Sequence, residues 1–326
     1  MTRRFAALAL VAALALALPW IIVNDFYVNM ASQILIYALM ALSLNLLLGY
    51  GGMVSLGHAA YLGVTAYTCV IVMGAGYGHA VAALAGLVLS TASAAFFGLM
   101  ALRASGLGFL MITLALGQIV WGVTYRWNDL TGGDNGIRYP SRPSPFGLDI
   151  GTAPSFYYFT LIVFAISLFC IWRLTLSPYG AALRGTRDQP RRMRMLGHDV
   201  WMIRWIAFVM SGFWASLASL LYLYYNLFIS PHALSLQQSA EVLLMSILGG
   251  ASTLTGPIVG AVVITLVKNV VSTYVDRWNS LLGAIFVVVI LFMPSGLVPG
   301  FGQLWARLRG RLHPARPDVA PSRHSP

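Results

Sequence analysis

Long apolar runs that carry almost no charge recur along the whole chain, and they constrain its fold more than any other feature. Only 9% of the 326 residues are charged and 59% are hydrophobic, whereas a soluble domain carries roughly 25% charged residues. The polar surface that a soluble protein of this size needs is therefore missing. An apolar run of about 20 residues matches a helix that crosses a bilayer. The sequence predicts an all-α polytopic membrane protein.

About ten membrane-spanning segments are predicted, and eight segments with re-entrant pieces are the alternative. An even number places both termini on the same side of the membrane. We expect a transmembrane domain over residues 1–302 and a basic, disordered cytoplasmic tail over residues 303–326. The first run is interpreted as a retained helix, with a cleaved signal peptide as the alternative. The ten runs cover residues 5–23, 30–48, 53–73, 79–101, 107–125, 155–172, 203–225, 238–250, 254–272 and 278–296.

The positions of the arginines predict the orientation. Loop 173–202 carries six arginines against two aspartates, whereas loop 126–154 carries three of each. Cytoplasmic loops are enriched in Lys and Arg, so loop 173–202 and the arginine-bearing termini are expected in the cytoplasm and loop 126–154 outside. The net charge of +11 does not indicate nucleic-acid binding, because the basic residues lie between apolar runs.

Two glycine-rich stretches interrupt apolar segments, one at residues 47–68 and one at 249–256. Irregular backbone at membrane depth is tolerated only where it is packed in protein or lines a cavity, and transporters use such breaks at substrate sites. The first stretch brings Gly52, Ser55, Gly57 and His58 to the predicted pathway, and the second brings Gly249 and Gly250. The two stretches are candidates for an inverted repeat, and chance similarity is the alternative.

Isolated polar side chains in the apolar runs are further pathway candidates. Asn45 and Gln118 are such residues, with a helix–helix hydrogen bond as the alternative role. Glu241 and Lys268 are each the only residue of their type. Intramembrane charges are usually functional, but a structural ion pair or snorkelling to the interface is the alternative. The sequence has no P-loop, no cluster with metal-ligand spacing and no catalytic constellation, so we expect no ATPase activity, no metal and no cofactor.

The cytoplasmic loop 173–202 is predicted to contain a short helix. Asp188 and Gln189 are interpreted as its cap, Pro190 suits its first turn, and Gly197 ends it. A helix over residues 189–196 would present basic and apolar side chains to a partner, and a merely solvated basic loop is the alternative. Those side chains are Arg191, Arg192, Arg194, Met193, Met195 and Leu196.

Five blocks of this sequence resemble LivM-type permeases of branched-chain amino acid ABC importers. The first block, residues 49–67, is similar to the family pattern G-Y-x-G-x-x-S-L-G-H-A-A-F/Y-x-G-x-G-A-Y, with Thr65 in place of a glycine. The others are residues 109–118, the T-G-G-x-x-G-I loop at 131–137, the region 180–197 and the L-G-G motif at 248–261. In the region 180–197, Pro190, Arg192 and Met193 depart from the pattern.

The resemblance implies the permease subunit of an ATP-binding cassette importer for branched-chain amino acids or related small solutes. It implies cytoplasmic ATPase subunits, a second, LivH-like permease and a periplasmic or extracellular substrate-binding protein as partners, in a bacterial inner membrane. An ion-coupled secondary transporter that works through Glu241 or His58 is the alternative. The residues predicted to couple the chain to ATPase subunits include Arg184, Arg187, Leu196 and Gly197, which match the family pattern. The others lie on or beside the predicted helix and are Asp188, Arg191, Arg192, Met193 and Met195.

Overall fold

The structure, a computed structural model, describes residues 15–21, 24–143, 150–251 and 253–271, together with a few positions between 280 and 300. The predicted runs 5–23 and 278–296 fall largely outside the described residues, and the tail 303–326 does so entirely. Residues 15–21 are helical. The helices that follow are α1 (Asp25–Asn45), α2 (His58–Gly74), α3 (His79–Ala101), α4 (Leu107–Arg126), α5 (Asn128–Thr131), α6 (Ala153–Leu176), α7 (Pro178–Asp188), α8 (Pro190–Met195), α9 (Val200–Asn226), α10 (Leu236–Gly249) and α11 (Gly256–Val271).

The helices confirm the prediction of an all-α membrane protein. Five described helices are long and apolar enough to cross a membrane: α1 with its extension to Tyr50, α3, α4, α6 and α9. The extension is a π-helical turn over Leu46–Tyr50. The described part also contains one ribbon of two short antiparallel strands, β1 (Ile137–Arg138) and β2 (Phe228–Ile229).

Local sequence signals account for where several helices begin. Ser177 accepts a hydrogen bond from the Gly180 N–H, and Pro178 occupies the first turn of α7. Asp199 accepts from two backbone N–H groups at the start of α9, and Ser235 caps α10. Short polar side chains satisfy N–H groups that a helix start leaves without partners, and proline loses nothing in the first turn.

Helices α1 and α9 form the centre of the bundle. In their most apolar windows, 72% and 67% of the residues are buried, against 22–28% in α3, α4 and α6. Helix α1 packs against α6, α9, α10 and α11, and α9 also packs against α2 and α3. Buried serines connect these helices, because Ser246 Oγ donates to Ala41 O and Ser216 Oγ donates to Ser90 Oγ. The outer helices expose apolar side chains, as lipid-facing helices do.

The loops collect at two ends of the bundle. One end, here called the basic end, holds α7, α8 and the α3–α4 connection, whose Leu102 lies beside Arg194 and Arg204. The other, here called the ribbon end, holds the β-ribbon and the α2–α3 connection, where His79 Nδ1 lies 3.0 Å from Tyr139 Oη. Helices α6 and α9 each join one end to the other. The predicted loops 126–154 and 173–202 therefore lie at opposite ends.

Helices α10 and α11 form an antiparallel hairpin whose open side faces the ribbon end. Helix α10 has 14 residues, or about 21 Å at about 1.5 Å per residue, which is shorter than a hydrocarbon core of about 30 Å. The hairpin turn at Gly250 therefore lies inside the bundle. Its backbone polar groups need protein partners there, which explains why this turn packs against the first glycine break.

Candidate transport pathway and coupling element

The two glycine breaks contact each other. A Cβ atom on Gly49 would collide with the carbonyl oxygen of Ala251, so only glycine permits this approach. Asn45 is 1% exposed, and its Nδ2 donates to Thr253 O over 2.9 Å. Asn45 Oδ1 has no hydrogen-bond partner within the described residues. The N-terminal and C-terminal halves of the chain thus meet at irregular backbone, as expected for a pathway built from broken helices.

The end of the first break is fixed against α4. Gly57 packs so closely on the Thr113 backbone that an added Cβ would lie 2.5 Å from Thr113 O. The Leu56 N–H donates to Thr113 Oγ1 over 3.3 Å, and Ser55 Oγ accepts from the Gly57 N–H. Gln118 is half-buried on the same helix, next to Gly117, which lies against the Gly57 Cα. The structure therefore brings Ser55, Gly57 and the neighbourhood of Gln118 together.

His58 connects the first break to the centre of the bundle. Its ring is fully buried, and Nε2 lies 2.9 Å from Ser211 Oγ. Ser211 Oγ donates its own proton to Ser43 O over 2.6 Å, so His58 Nε2 must carry the proton and donate. His58 Nδ1 has no partner in the described part of the chain. This arrangement is a helix–helix hydrogen bond, the alternative role considered for isolated polar side chains.

Glu241 and Lys268 form a buried ion pair across the α10–α11 hairpin. Glu241 Oε2 and Lys268 Nζ are 2.9 Å apart, and their side chains are 4% and 27% exposed. Gln237 Nε2 lies 3.5 Å from the other Glu241 oxygen. Of the roles open to these charges, the structure shows the ion pair. The pair lies towards the ribbon end, in the wall of a cavity of about 340 Å³.

The basic loop folds into two consecutive helices rather than one. The predicted helix 189–196 is present as α8, and it ends in a Schellman motif in which the His198 N–H donates to Met193 O and the Gly197 N–H to Arg194 O. The 11-residue helix α7 before it is not predicted from the sequence. The cap prediction is wrong, because no side chain caps α8 and Asp188 instead binds Arg187 at 2.8 Å.

The apolar side chains of α8 point in two directions. Met193 is half-buried and packs against Gly185 of α7, so part of its side chain holds the two helices together. Met195 and Leu196 are 87% and 67% exposed. Arg191, Arg192 and Arg194 are also exposed. The surface formed by Met195, Leu196 and these arginines is here called the docking surface.

Helix α7 ties the docking surface to the first glycine break. Arg187 Nη1 donates to Gly49 O, and the Arg187 stem passes over Gly52, where a Cβ would lie 2.5 Å from Arg187 Cγ. Gly52 has φ +67°, which also favours glycine. Arg184, one turn earlier, instead donates to Thr175 O over 2.8 Å at the end of α6. Arg187 therefore joins α7 to the break by a hydrogen bond, and the Arg184 guanidinium lies 5.9 Å from the centre of the Tyr50 ring.

At the ribbon end, the T-G-G-x-x-G loop folds into a compact turn. Thr131 Oγ1 donates to Thr124 O at 2.6 Å, and Gly136 packs on Ile229 O. Arg142 donates to Tyr224 O, Ile150 O and Gly151 O. Burial lowers the pKa of the Arg142 guanidinium and raises the pKa of the nearby Tyr139 phenol to about 12. This motif positions a loop, and Arg142 clamps it to α9.

Several residues of the site were missed by sequence reasoning. Gln33, Tyr37 and Tyr222 line the cavity beside Glu241, and Ser211 holds His58. Gln33 is an amide in the same apolar run as Asn45, and the signal that identified Asn45 would have identified it as well. Tyrosine and serine are common in transmembrane helices, so the others give no comparable signal. Among the described residues, no three His, Cys, Asp or Glu side chains come together as metal ligands.

Apolar helices interrupted by two touching glycine breaks define a polytopic membrane protein with the architecture of a transport protein. Residues 26–294 match the family described as branched-chain amino acid transport system / permease component. Because this match covers well over half of the chain, the protein belongs to that family.

Curated relatives agree with the family match. The high-affinity branched-chain amino acid transport system permease protein LivM of Salmonella typhimurium is 29% identical over 319 residues, which cover 90% of this chain and 75% of that protein. LivM of Escherichia coli is 28% identical over the same shares. The autoinducer 2 import system permease protein LsrC of Salmonella typhi is 27% identical over 247 residues, 71% of this chain and 68% of that protein. No solved structure matches this chain.

Proposed function

We propose that this chain is the pathway-forming permease subunit of an ATP-binding cassette importer for branched-chain amino acids or related small solutes. Separate cytoplasmic ATPase subunits supply hydrolysis, a second permease completes the pathway, and a periplasmic or extracellular binding protein delivers the solute. The protein lies in the bacterial inner membrane with both termini in the cytoplasm. The family match and the LivM relatives support the substrate class, whereas the LsrC relative imports a different solute.

The observation that carries this proposal is the link between the docking surface and the glycine breaks. Met195 and Leu196 are exposed at the basic end, where an ATPase subunit would bind. Arg187 joins the same pair of helices to Gly49, and Gly49 contacts the second break at Ala251. Movement of α7 and α8 on the ATPase would thus reach both breaks. An ion-coupled carrier has no ATPase partner and needs no such link.

The pathway residues are assigned as part of the same proposal. The two breaks contribute Asn45, Gly52, Ser55, Gly57, Gly249 and Gly250, and the side chains of His58, Gln118 and Glu241 complete the candidate set. The close packing of Gly49 on the second break and of Gly57 on α4 supports this assignment, because tight backbone contacts transmit a displacement rather than absorb it. The coupling set consists of Arg184, Arg187, Asp188, Arg191, Arg192, Met193, Met195, Leu196 and Gly197, and Met193 also holds α8 to α7.

The test is Leu196→Asp in the complex purified with its ATPase subunits. A buried leucine contributes about 1.5–3 kcal/mol, so its loss should weaken ATPase association roughly ten- to a hundredfold at about 1.4 kcal/mol per decade. ATP-driven uptake should fall with it. Leu236→Asp is the matched control, because Leu236 is also exposed but lies at the ribbon end.

Two results would contradict the proposal. The first is a Leu196→Asp variant that retains both ATPase association and uptake, which would reduce α7 and α8 to a positively charged topology signal. The second is uptake by the wild-type chain that a proton or sodium gradient drives without ATP. That result would favour the secondary-transporter alternative, for which the Glu241–Lys268 pair would be the coupling site.

A further inference from the structure

The cavity at the ribbon end contains charges of both signs. It is enclosed by α1, α9, the segment after β2, α10 and α11, and its volume of about 340 Å³ lies at the small end of the range for ligand pockets, roughly 300–1,000 Å³. The lining residues that could contact a bound solute are Gln33, Tyr37, Tyr222, Gln238, Glu241 and Lys268. This cavity is here called the charged chamber.

The ion pair in the chamber wall joins two helices at a large desolvation cost. Taking both charges out of water costs several kcal/mol per ion, and apolar side chains of similar volume often hold a core together equally well. Glu241 is almost fully buried, whereas the Lys268 side chain is 27% exposed. An ionisable pair at membrane depth therefore points to function, and its exposure to a cavity places that function in the chamber.

The polar surroundings of the pair complete a small recognition site. Asn269 Nδ2 donates to Gln33 Oε1 over 3.1 Å, which orients the Gln33 amide at the chamber wall. The rings of Tyr37 and Tyr222 pack edge to face with centroids 6.3 Å apart. The Gln238 amide lines the chamber beside the Tyr37 phenol. The chamber therefore offers an amide donor, an aromatic wall and two opposite charges.

We propose that the charged chamber receives the zwitterionic head of an amino acid on its way into the pathway. The solute carboxylate binds the Lys268 ammonium and the Gln238 amide N–H, and the solute ammonium binds the Glu241 carboxylate. The side chain of the solute lies against Tyr37 and Tyr222. When no solute is present, Glu241 and Lys268 neutralise each other, so the empty chamber holds no unpaired charge. This inference rests on the proposed function, whose solute class it explains at the level of residues.

The experiment uses the complete complex with its binding protein in proteoliposomes, and the probe is a radiolabelled amino-acid mixture that includes L-leucine. Two double variants separate recognition from structure. Glu241→Gln with Lys268→Met removes both charges and leaves neither unpaired, and Glu241→Lys with Lys268→Glu keeps an ion pair but exchanges its ends. We expect both complexes to assemble and hydrolyse ATP as the wild type does, and to lose at least tenfold in uptake at subsaturating solute.

The matched control is Ser246→Ala, which removes a buried polar contact of α10 away from the chamber and should leave uptake within about twofold of the wild type. Wild-type uptake in both double variants would overturn the proposal and leave the pair a structural brace. If the wild-type complex took up urea with ATP but no amino acid, the proposal that the chamber binds a zwitterionic solute would also be overturned. Failure of the proposed function shows up separately, as loss of ATP dependence in the wild type.

Discussion

Replacing Arg187 with glutamine should uncouple ATP hydrolysis from transport. Arg187 Nη1 donates to Gly49 O, and hydrogen bonds from charged groups contribute roughly 1.5–3 kcal/mol. The Arg187 side chain is 35% exposed, which places this contact at the lower end of that range. At about 1.4 kcal/mol per decade, the coupled arrangement of α7 and the first break should become about tenfold less populated. ATPase binding should persist, because the docking surface is unchanged.

The assay is the number of ATP molecules hydrolysed per solute taken up in proteoliposomes. For Arg187→Gln this ratio should rise about tenfold, and Arg187→Lys, which keeps one charged donor, should lie between the variant and the wild type. Arg184→Gln is the comparison variant and should raise the ratio less, because Arg184 also donates from α7 to a backbone carbonyl, that of Thr175, but meets the break only through the face of the Tyr50 ring. An unchanged ratio in Arg187→Gln, or an equal rise in Arg184→Gln, would refute the reasoning.

Three further predictions test the site and the topology. Gly57→Leu should abolish uptake but leave membrane insertion intact, because its Cβ would lie 2.5 Å from Thr113 O. The control Gly122→Leu should transport normally, because nothing lies within 4 Å of its added Cβ. Normal uptake by Gly57→Leu would show that the break is ordinary packing. Cysteines at Ser141 and His198 should react with an impermeant reagent from outside and inside respectively, and the reverse pattern would reject the orientation. Arg142→Met should lower the free energy of unfolding by about 1.5–3 kcal/mol, since Tyr224 O and Gly151 O lose a charged donor. An unchanged thermal unfolding transition would show that the Arg142 hydrogen bonds contribute nothing to stability.

The amino-acid sequence alone determined the class of protein and most helix positions. Hydropathy is summed over about 20 neighbouring residues, so α3, α4, α6 and α9 could be located within a few residues of their observed ends. Helix ends that depend on adjacent residues could also be predicted from the sequence. Pro190 begins α8 and Gly197 ends it. The glycine-rich stretches were correctly predicted as breaks, because clustered glycines weaken a helix locally, whereas isolated ones such as Gly86 and Gly212 lie inside regular helices.

Tertiary structure alone decided which of these local features touch. Asp188 looked like a cap, but its carboxylate pairs with Arg187. Met193 was predicted as an anchor for a partner, and the fold also places it against Gly185 of α7. Glu241 and Lys268 are 27 residues apart, and Gln33, Tyr37 and Tyr222 come from two other helices. No local pattern encodes such proximity, because it depends on how whole helices pack. The breaks follow from local backbone chemistry, whereas the charged chamber and the Arg187 link exist only through that packing.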